Sequence, residues 1–206
     1  TPITALEAAV AKNTVWIHSG TYTQTAVATM SGNAGPLYVF GYNSTHGDGG
    51  TRPLLTTATN SVQLIRTSNN GNAELVFDNI DFSNTATTRA ACLIAWGGSA
   101  ELTVRNAIFD GCKNAINGDV FGDANTNYTI IYLNNVEIKN SSSHGVVSNN
   151  LYTIVNSWIH DNTGSGVVAQ GANAANPSYF ISSVASANGG SGVAGYSAGS
   201  ASVSGN

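Results

Sequence analysis

Apolar and polar positions in this chain follow a strand rhythm that runs, slips by one residue and resumes, five times over. The segments are ELVFDNIDFSN (74–84), ELTVRNAIFDG (101–111), IIYLNNVEIKN (130–140), YTIVNSWIHDN (152–162) and SYFISSVASAN (178–188). Before the slip, apolar residues alternate with polar ones (Leu75 and Phe77, Leu102 and Val104, Ile131 and Leu133), as in a strand with one buried face. After it, Ile80 and Phe82, or Val136 and Ile138, point one way again. A one-residue slip would turn the whole buried set to solvent unless the chain bends there. Overlaid on their central polar residue, the segments place Asn79, Asn106, Asn135, Ser157 and Ser183 at the bend. Phe77, Val104, Leu133, Val155 and Ile181 stand two positions before it, and Ile80, Ala107, Val136, Trp158 and Val184 one after. Asn tolerates left-handed backbone angles and bonds neighbouring backbone, so it suits a bend. Stacked Asn side chains also bond one another as a ladder. A second ladder is predicted at Asn84, Asn140, Asn162 and Asn188, with Gly111 in the same place.

A third strand follows each segment: ACLIAW (91–96), AINGDV (115–120), GVVSNN (145–150), GVVAQG (166–171) and GVAGYS (192–197). Its inward column reads Leu93, Ile116, Val146, Val167 and Val193. Segments recurring every 22 to 29 residues have the period of a stacked solenoid. The fold expected is all-β, a parallel β-helix with three strands per turn. One domain spans 1–206, with a capping helix at 3–12 and repeating turns over 14–206. Thr4 and Glu7 form a capping-box pattern, and Ile3, Leu6 and Val10 share one face. Such a helix covers the strand edges that a solenoid's end exposes. The last residues, SAGSASVSGN, read as part of a further turn, so a longer chain or a partner is expected at that end.

Composition narrows the class. Only 9% of residues are charged, yet periodic aliphatics abound, which excludes disorder. No apolar run approaches the length of a membrane span. A net charge of −4 argues against nucleic acid. No leader sequence is visible, as would also hold for a trimmed chain. Cys92 and Cys112 fall in different columns of the repeat, so buried free thiols are expected, with a disulfide as the alternative. No His or Cys pair has metal-ligand spacing.

TVWIHSGTYTQ (14–24), GPLYVFGYNSTHGDGGTRPLL (35–55) and the Asn-bend repeats together resemble pectin-lyase-like right-handed parallel β-helix proteins. The GYNSTHGDGG stretch looks like one carried by phage-type members. The resemblance covers nearly the whole chain and implies the right-handed fold. Pectate and alginate lyases, polygalacturonases, phage tailspikes and adhesins share that fold, so activity must be argued from residues.

Polygalacturonase-like enzymes carry Asn-x-Asp, Asp-Asp, Gly-His-Gly and Arg-x-Lys motifs. This chain has Asn79-Ile80-Asp81, no Asp-Asp and no Arg-x-Lys, and only Ser143-His144-Gly145 for the third. Lyases of the fold use a Lys or Arg base. Lys139 is the candidate, but the overlay sets it between Asp110 and Asp161, where a structural ion pair is expected. Asp78 under Arg105 repeats that arrangement. Asp119 and Asp123, in the loop DVFGDANTN, are weak catalytic candidates and the place where Ca²⁺ would be held, though such loops are more often solvated turns. No resident cofactor is expected. His160 takes an otherwise apolar column, and Arg52 is expected to tie down its own loop.

One outward column reads Trp96, Asp119, Asn149, Gln170 and Tyr196, a mixture of rings and amides suited to sugar or to an interface. Beside it run Ile94, Asn117, Val147, Val168 and Ala194, too apolar for open solvent, so a loop, a second subunit or further chain is expected over them. The sequence therefore points to a non-enzymatic structural or adhesive protein, extracellular or on a virion surface. Self-association or a larger assembly and a polysaccharide ligand are its expected partners. The alternative is a polysaccharide lyase or glycoside hydrolase of the same fold.

Overall fold

The structure, a computed structural model, describes residues 2–8, 14–30, 36–67, 74–95, 101–118, 130–148, 151–169, 178–195 and 201–204. A short helix, α1 (Pro2–Ala8), precedes the strands. The first repeat comprises β1 (Thr14–His18), β2 (Thr21–Thr23) and β3 (Ala28–Met30). The second comprises β4 (Leu37–Tyr42), β5 (Leu54–Thr57) and β6 (Ile65–Thr67), and the third β7 (Glu74–Asp78), β8 (Asp81–Asn84) and β9 (Leu93–Ile94). In the fourth and fifth the first two strands fuse: β10 (Glu101–Asp110) with β11 (Ile116–Gly118), then β12 (Ile130–Lys139) with β13 (Val146–Ser148). The sixth holds β14 (Leu151–Val155), β15 (Trp158–His160) and β16 (Val167–Ala169). The seventh holds β17 (Ser178–Ile181), β18 (Val184–Ser186) and β19 (Val193–Gly195), and β20 (Ala201–Ser204) follows.

Each strand pairs in parallel with its counterpart in the next repeat. First strands stack in the order β1-β4-β7-β10-β12-β14-β17-β20, and third strands in the order β3-β6-β9-β11-β13-β16-β19. Because β10 and β12 run through the bend, first and second strands belong to one 13-stranded sheet, beside a separate seven-stranded sheet. The protein is thus all-β with parallel sheets, built from the strand–bend–strand–strand repeat that the sequence predicts. The third-strand column Leu93, Ile116, Val146, Val167 and Val193 is in register as expected.

The core is a set of inward columns. Val39, Phe77, Val104, Leu133, Ile154 and Phe180 form one, and Leu55, Phe82, Phe109, Ile138 and Ile159 another, all buried. The Phe82 and Phe109 rings stack at 4.7 Å. Each fully buried side chain of this size contributes about 1.5–3 kcal/mol of hydrophobic stabilisation. Stacking makes that burial depend on the neighbouring repeat. Gly41 lies so close over the Asn79 carbonyl that no side chain fits there.

Several expectations need correction. The helix begins at Pro2, the first-turn position that suits proline. Thr4 therefore lies inside the helix rather than ahead of it, where a capping box would place it. Leu6 is fully buried in the core, and the helix packs against β1 and β3, while positions 9–12 lie outside the described residues.

The bend column is right for three repeats and off by one in two. Asn79, Asn106 and Asn135 take φ of 62°, 50° and 57°, but Asn156 and Ser182, not Ser157 and Ser183, are the left-handed residues that follow. Leu133 pairs with Ile154, so Val155 and Ile181 face outward and Trp158 and Val184 are exposed. In Ile154–Val155 and Phe180–Ile181 two apolar residues adjoin, so alternation alone cannot choose the buried one.

The ladder is also mixed. Asn135 Nδ2 donates to Asn106 Oδ1 (2.8 Å), and Asn106 Nδ2 donates to Asp78 Oδ1 (2.8 Å), while Asn79 Nδ2 donates to the Gly41 carbonyl (3.1 Å). Ser157 and Ser183 continue it as hydroxyls, accepting the N–H groups of Val136 (3.1 Å) and Ser157 (3.0 Å). The second ladder survives at Asn162, whose Nδ2 donates to Asn188 Oδ1 (2.9 Å). Its Asn140 instead stands one place earlier, in a left-handed corner column with Gly111, Asp161 and Ala187.

Cys92 and Cys112 form a disulfide, with Cα atoms 5.6 Å apart, against the expectation of free thiols. The column argument failed because connections between second and third strands differ in length. Ile116 follows Phe109 by seven positions, whereas Leu93 follows Phe82 by eleven. Cys112 leaves its corner just where the longer connection returns Cys92.

Candidate functional site

Side chains on the outward face of the 13-stranded sheet gather the chemistry. In β1, Val15 and Ile17 turn inward, so alternation puts Trp16 outward, with Phe40 and then Asp78 beside it in register. Trp16 is 37% exposed. His46, from the loop after β4, stacks parallel on the indole at 4.5 Å, and Phe40 packs against it at 4.9 Å. That loop is held by Asp48, whose carboxylate accepts the backbone N–H groups of Asn43, Ser44, Thr45 and Gly50. Those bonds hold its carboxyl well below the usual carboxylate range.

A cleft of about 930 Å³ opens beside this aromatic wall, with Arg52, Asp78, Asp81, Asn106 and Asn135 in its lining. Arg52 Nε pairs with Asp81 Oδ1 (3.0 Å), and its Nη1 donates to the Asn106 carbonyl (3.0 Å). Arg52 therefore ties the second repeat to the third and fourth rather than securing its own loop. Burial pushes the Asp81 carboxyl above its ordinary value, although the Ile108 N–H and Arg52 pull the other way, and the charge of Glu137 adds to the rise.

Beyond the cleft the same face carries Glu137, Lys139, Trp158 and His160. Lys139 Nζ pairs with Glu137 Oε1 at 3.0 Å. Both His160 nitrogens face carboxylates, Nε2 at 3.1 Å from Glu137 Oε1 and Nδ1 at 2.6 Å from Asp161 Oδ2. Burial raises the Glu137 carboxyl, but hydrogen bonds from Lys139 and His160 outweigh it and hold the group below its ordinary value. The Glu137 hydrogen bond chiefly holds the Lys139 ammonium above its ordinary value, helped by the charges of Glu137, Asp110 and Asp81. Trp158 lies on the His160 ring at 3.7 Å, and its Nε1 donates to the Ser186 hydroxyl (3.3 Å). The indole is 49% exposed, while His160 beneath it is 6% exposed.

Lys139 is thus an ion-paired residue, as expected, but with a different partner. Asp110 stands beside it in register, His160 takes the place expected of Asp161, and Glu137 of its own strand makes the bond. Ile159, not His160, fills the apolar column. Arg105 adjoins Asp78 in register, but Asp78 accepts from the Asn106 amide. His144 Nδ1 accepts the Ser165 N–H (2.9 Å), which fixes its ring in place.

The remaining candidates, Trp96, Asp119, Asp123, Asn149, Gln170 and Tyr196, lie outside the described residues. The apolar column beside them is in register as expected. Its central members Val147 and Val168 are already buried within the chain, Val168 at 1% exposure. Among the described residues no group of three or more His, Cys, Asp or Glu is placed to hold a metal ion, and no helix is long and apolar enough to cross a membrane. Sequence reasoning missed Trp16, His46, Asp81 and Glu137 as members of one surface. Trp16 and Glu137 could have been found by extending the alternation, since both flank clear inward residues.

No protein-family model, curated protein or solved structure matches this chain. The reading of its function therefore rests on this surface.

Proposed function

We propose that the chain is a right-handed parallel β-helix of pectin-lyase-like type with a structural or adhesive role, holding a polysaccharide along the outer face of its large sheet. A parallel pair needs a crossover between its strands. Winding through three stacked rows in every repeat supplies that crossover, which supports a closed solenoid. The observation that carries the functional reading is the pairing of the charged groups on this face. Lys139 is bound to Glu137, Glu137 to His160, and Arg52 to Asp81, beside two exposed indoles. Polar groups fixed to one another beside aromatic faces suit recognition of hydroxyl-rich rings, and the pairing engages Lys139, the lysine that would otherwise serve as a base. The Cys92–Cys112 bond favours an oxidising location and hence an extracellular protein. Trp158, Tyr179, Ile181 and Val184 expose apolar surface in the last repeats, which supports self-association or a larger assembly.

One observation favours the rival, a lyase or hydrolase. Asp81 and Glu137 share the face and their carboxyls are pushed in opposite directions, as in acid–base pairs. Incubation with a panel of acidic and neutral polysaccharides separates the two readings. Retention of a polysaccharide without cleavage is expected. Release of unsaturated or reducing ends that Asp81→Asn or Lys139→Ala abolishes would overturn the non-enzymatic reading.

A further inference from the structure

The charge carried by the outer face restricts which polysaccharide it can take. Alternation along the strands puts Glu74, Asp78, Glu101 and Asp110 on this face together with Asp81 and Glu137, six of the eleven carboxylates in the chain. Glu74 and Glu101 are register neighbours and line a second, smaller hollow with Arg105 and Tyr132. The cations of the face number half as many: Arg52, Arg105 and Lys139. Lys139 and Arg52 are already bound, to Glu137 at 3.0 Å and to Asp81 at 3.0 Å. Arg105 stands between Asp78 and the Glu74–Glu101 pair.

A polymer of uronic acids would therefore meet net negative charge, with exposed Arg105 as the cation it could reach without breaking one of these pairs. An ammonium group meets the opposite situation, since Glu101 is exposed and Asp78 borders the main cleft. Trp16 with His46 bounds the surface in the first repeat, and Trp158 lies flat in the sixth. Five strand steps of about 4.8 Å separate those repeats, so the aromatic ends stand on the order of 24 Å apart along the stack. The acidic groups fall between them.

Resting on the reading of this face as a glycan surface, we propose that its ligand is a polysaccharide bearing free amino groups, of the glucosamine or galactosamine type. Its ammonium groups lie against Asp78, Glu74 and Glu101, and a sugar ring lies on the open face of Trp158. Coulombic attraction of this kind is screened by salt, whereas ring stacking is not.

The test is calorimetric titration of the whole chain, at low ionic strength, with three hexasaccharides: β-1,4-glucosamine, its fully N-acetylated form, and α-1,4-galacturonate. The amino sugar is expected to bind at least tenfold tighter than the uronate and to weaken as salt is raised. Glu101→Gln, at an exposed position, and Asp78→Asn should each weaken amino-sugar binding several-fold and leave binding of the acetylated sugar unchanged. Trp158→Ala should weaken binding of both. Equal or tighter binding of the acetylated sugar or the uronate, still sensitive to Trp158→Ala, would overturn the amino-sugar inference and leave the glycan surface standing. Failure of all three sugars to bind would overturn the glycan surface itself, and this inference with it.

Discussion

Replacing both Cys92 and Cys112 with alanine removes a cross-link whose worth follows from its place in the chain. The two residues are 20 apart in sequence, so the bond closes a loop of about that length in the unfolded chain. Loop-closure entropy for such a loop amounts to about 3 kcal/mol at 25 °C. Both cysteines are fully buried, so alanine also leaves a small void where the sulfurs packed, adding up to about 1 kcal/mol. For a chain of this size each kcal/mol lowers the midpoint of thermal unfolding by about 2–4 °C. The double variant should therefore unfold roughly 6–16 °C below the parent when both are scanned by circular dichroism. The native protein should yield no titratable thiol without denaturant. A fall of under 2 °C, or a prompt thiol signal from the native protein, would refute the assignment of this bond as the link between the third and fourth repeats.

Other expectations follow from single contacts. Arg52→Gln leaves Asp81 without its cation and frees the Asn106 carbonyl, so urea denaturation should show a loss of about 1–2 kcal/mol. Ala187 occupies the left-handed corner column at φ 51°, where its neighbours are Gly111, Asn140 and Asp161. Ala187→Asn should therefore gain about 0.5–1 kcal/mol in the same assay, and a loss would mean that the corner geometry is misassigned. The Lys139 ammonium is held above its ordinary value of 10.5, so its pairing contributes below pH 10.5 and is lost as pH rises through the folded-state value. Parent and Lys139→Met should differ by under about 1 kcal/mol at pH 8, and the gap should close in the alkaline limb. A gap that widens there would contradict the pairing with Glu137.

Much of the architecture is legible in the sequence because stacking forces like residues into columns. In the third-strand column Ile116 and Val193 are bounded by glycine, alanine or polar residues that leave one register available, and Gly145 and Gly166 set the start of the Val146 and Val167 strands. Where neighbouring positions are both apolar, as at Ile154–Val155, alternation loses its meaning. The left-handed bend, not the hydrophobic pattern, then decides which residue is buried. That is why Trp158 reads as core in the sequence and stands on the surface in the structure. The candidate surface was harder to see. Its members come from each of the first six repeats, and Glu137 with His160 meet only because β12 and β15 pair with Lys139 opposite His160. The disulfide was hidden by a connection of unequal length, which no column alignment can represent.

The uninterrupted course of β10 and β12 through the bend has a consequence for how the chain gains its order. In the third, sixth and seventh repeats the first and second strands are separate elements, joined by two residues at the bend. The fourth and fifth instead lie side by side as ten-residue strands, paired on both sides of the bend. In a linear array of repeats, folding can begin wherever neighbours cohere most strongly and then spread outward. The middle of this chain is the natural seed, with the disulfide securing the third repeat to it. Order would then reach the two aromatic ends last, so the surface proposed to take a polysaccharide is completed only when propagation has run its course in both directions.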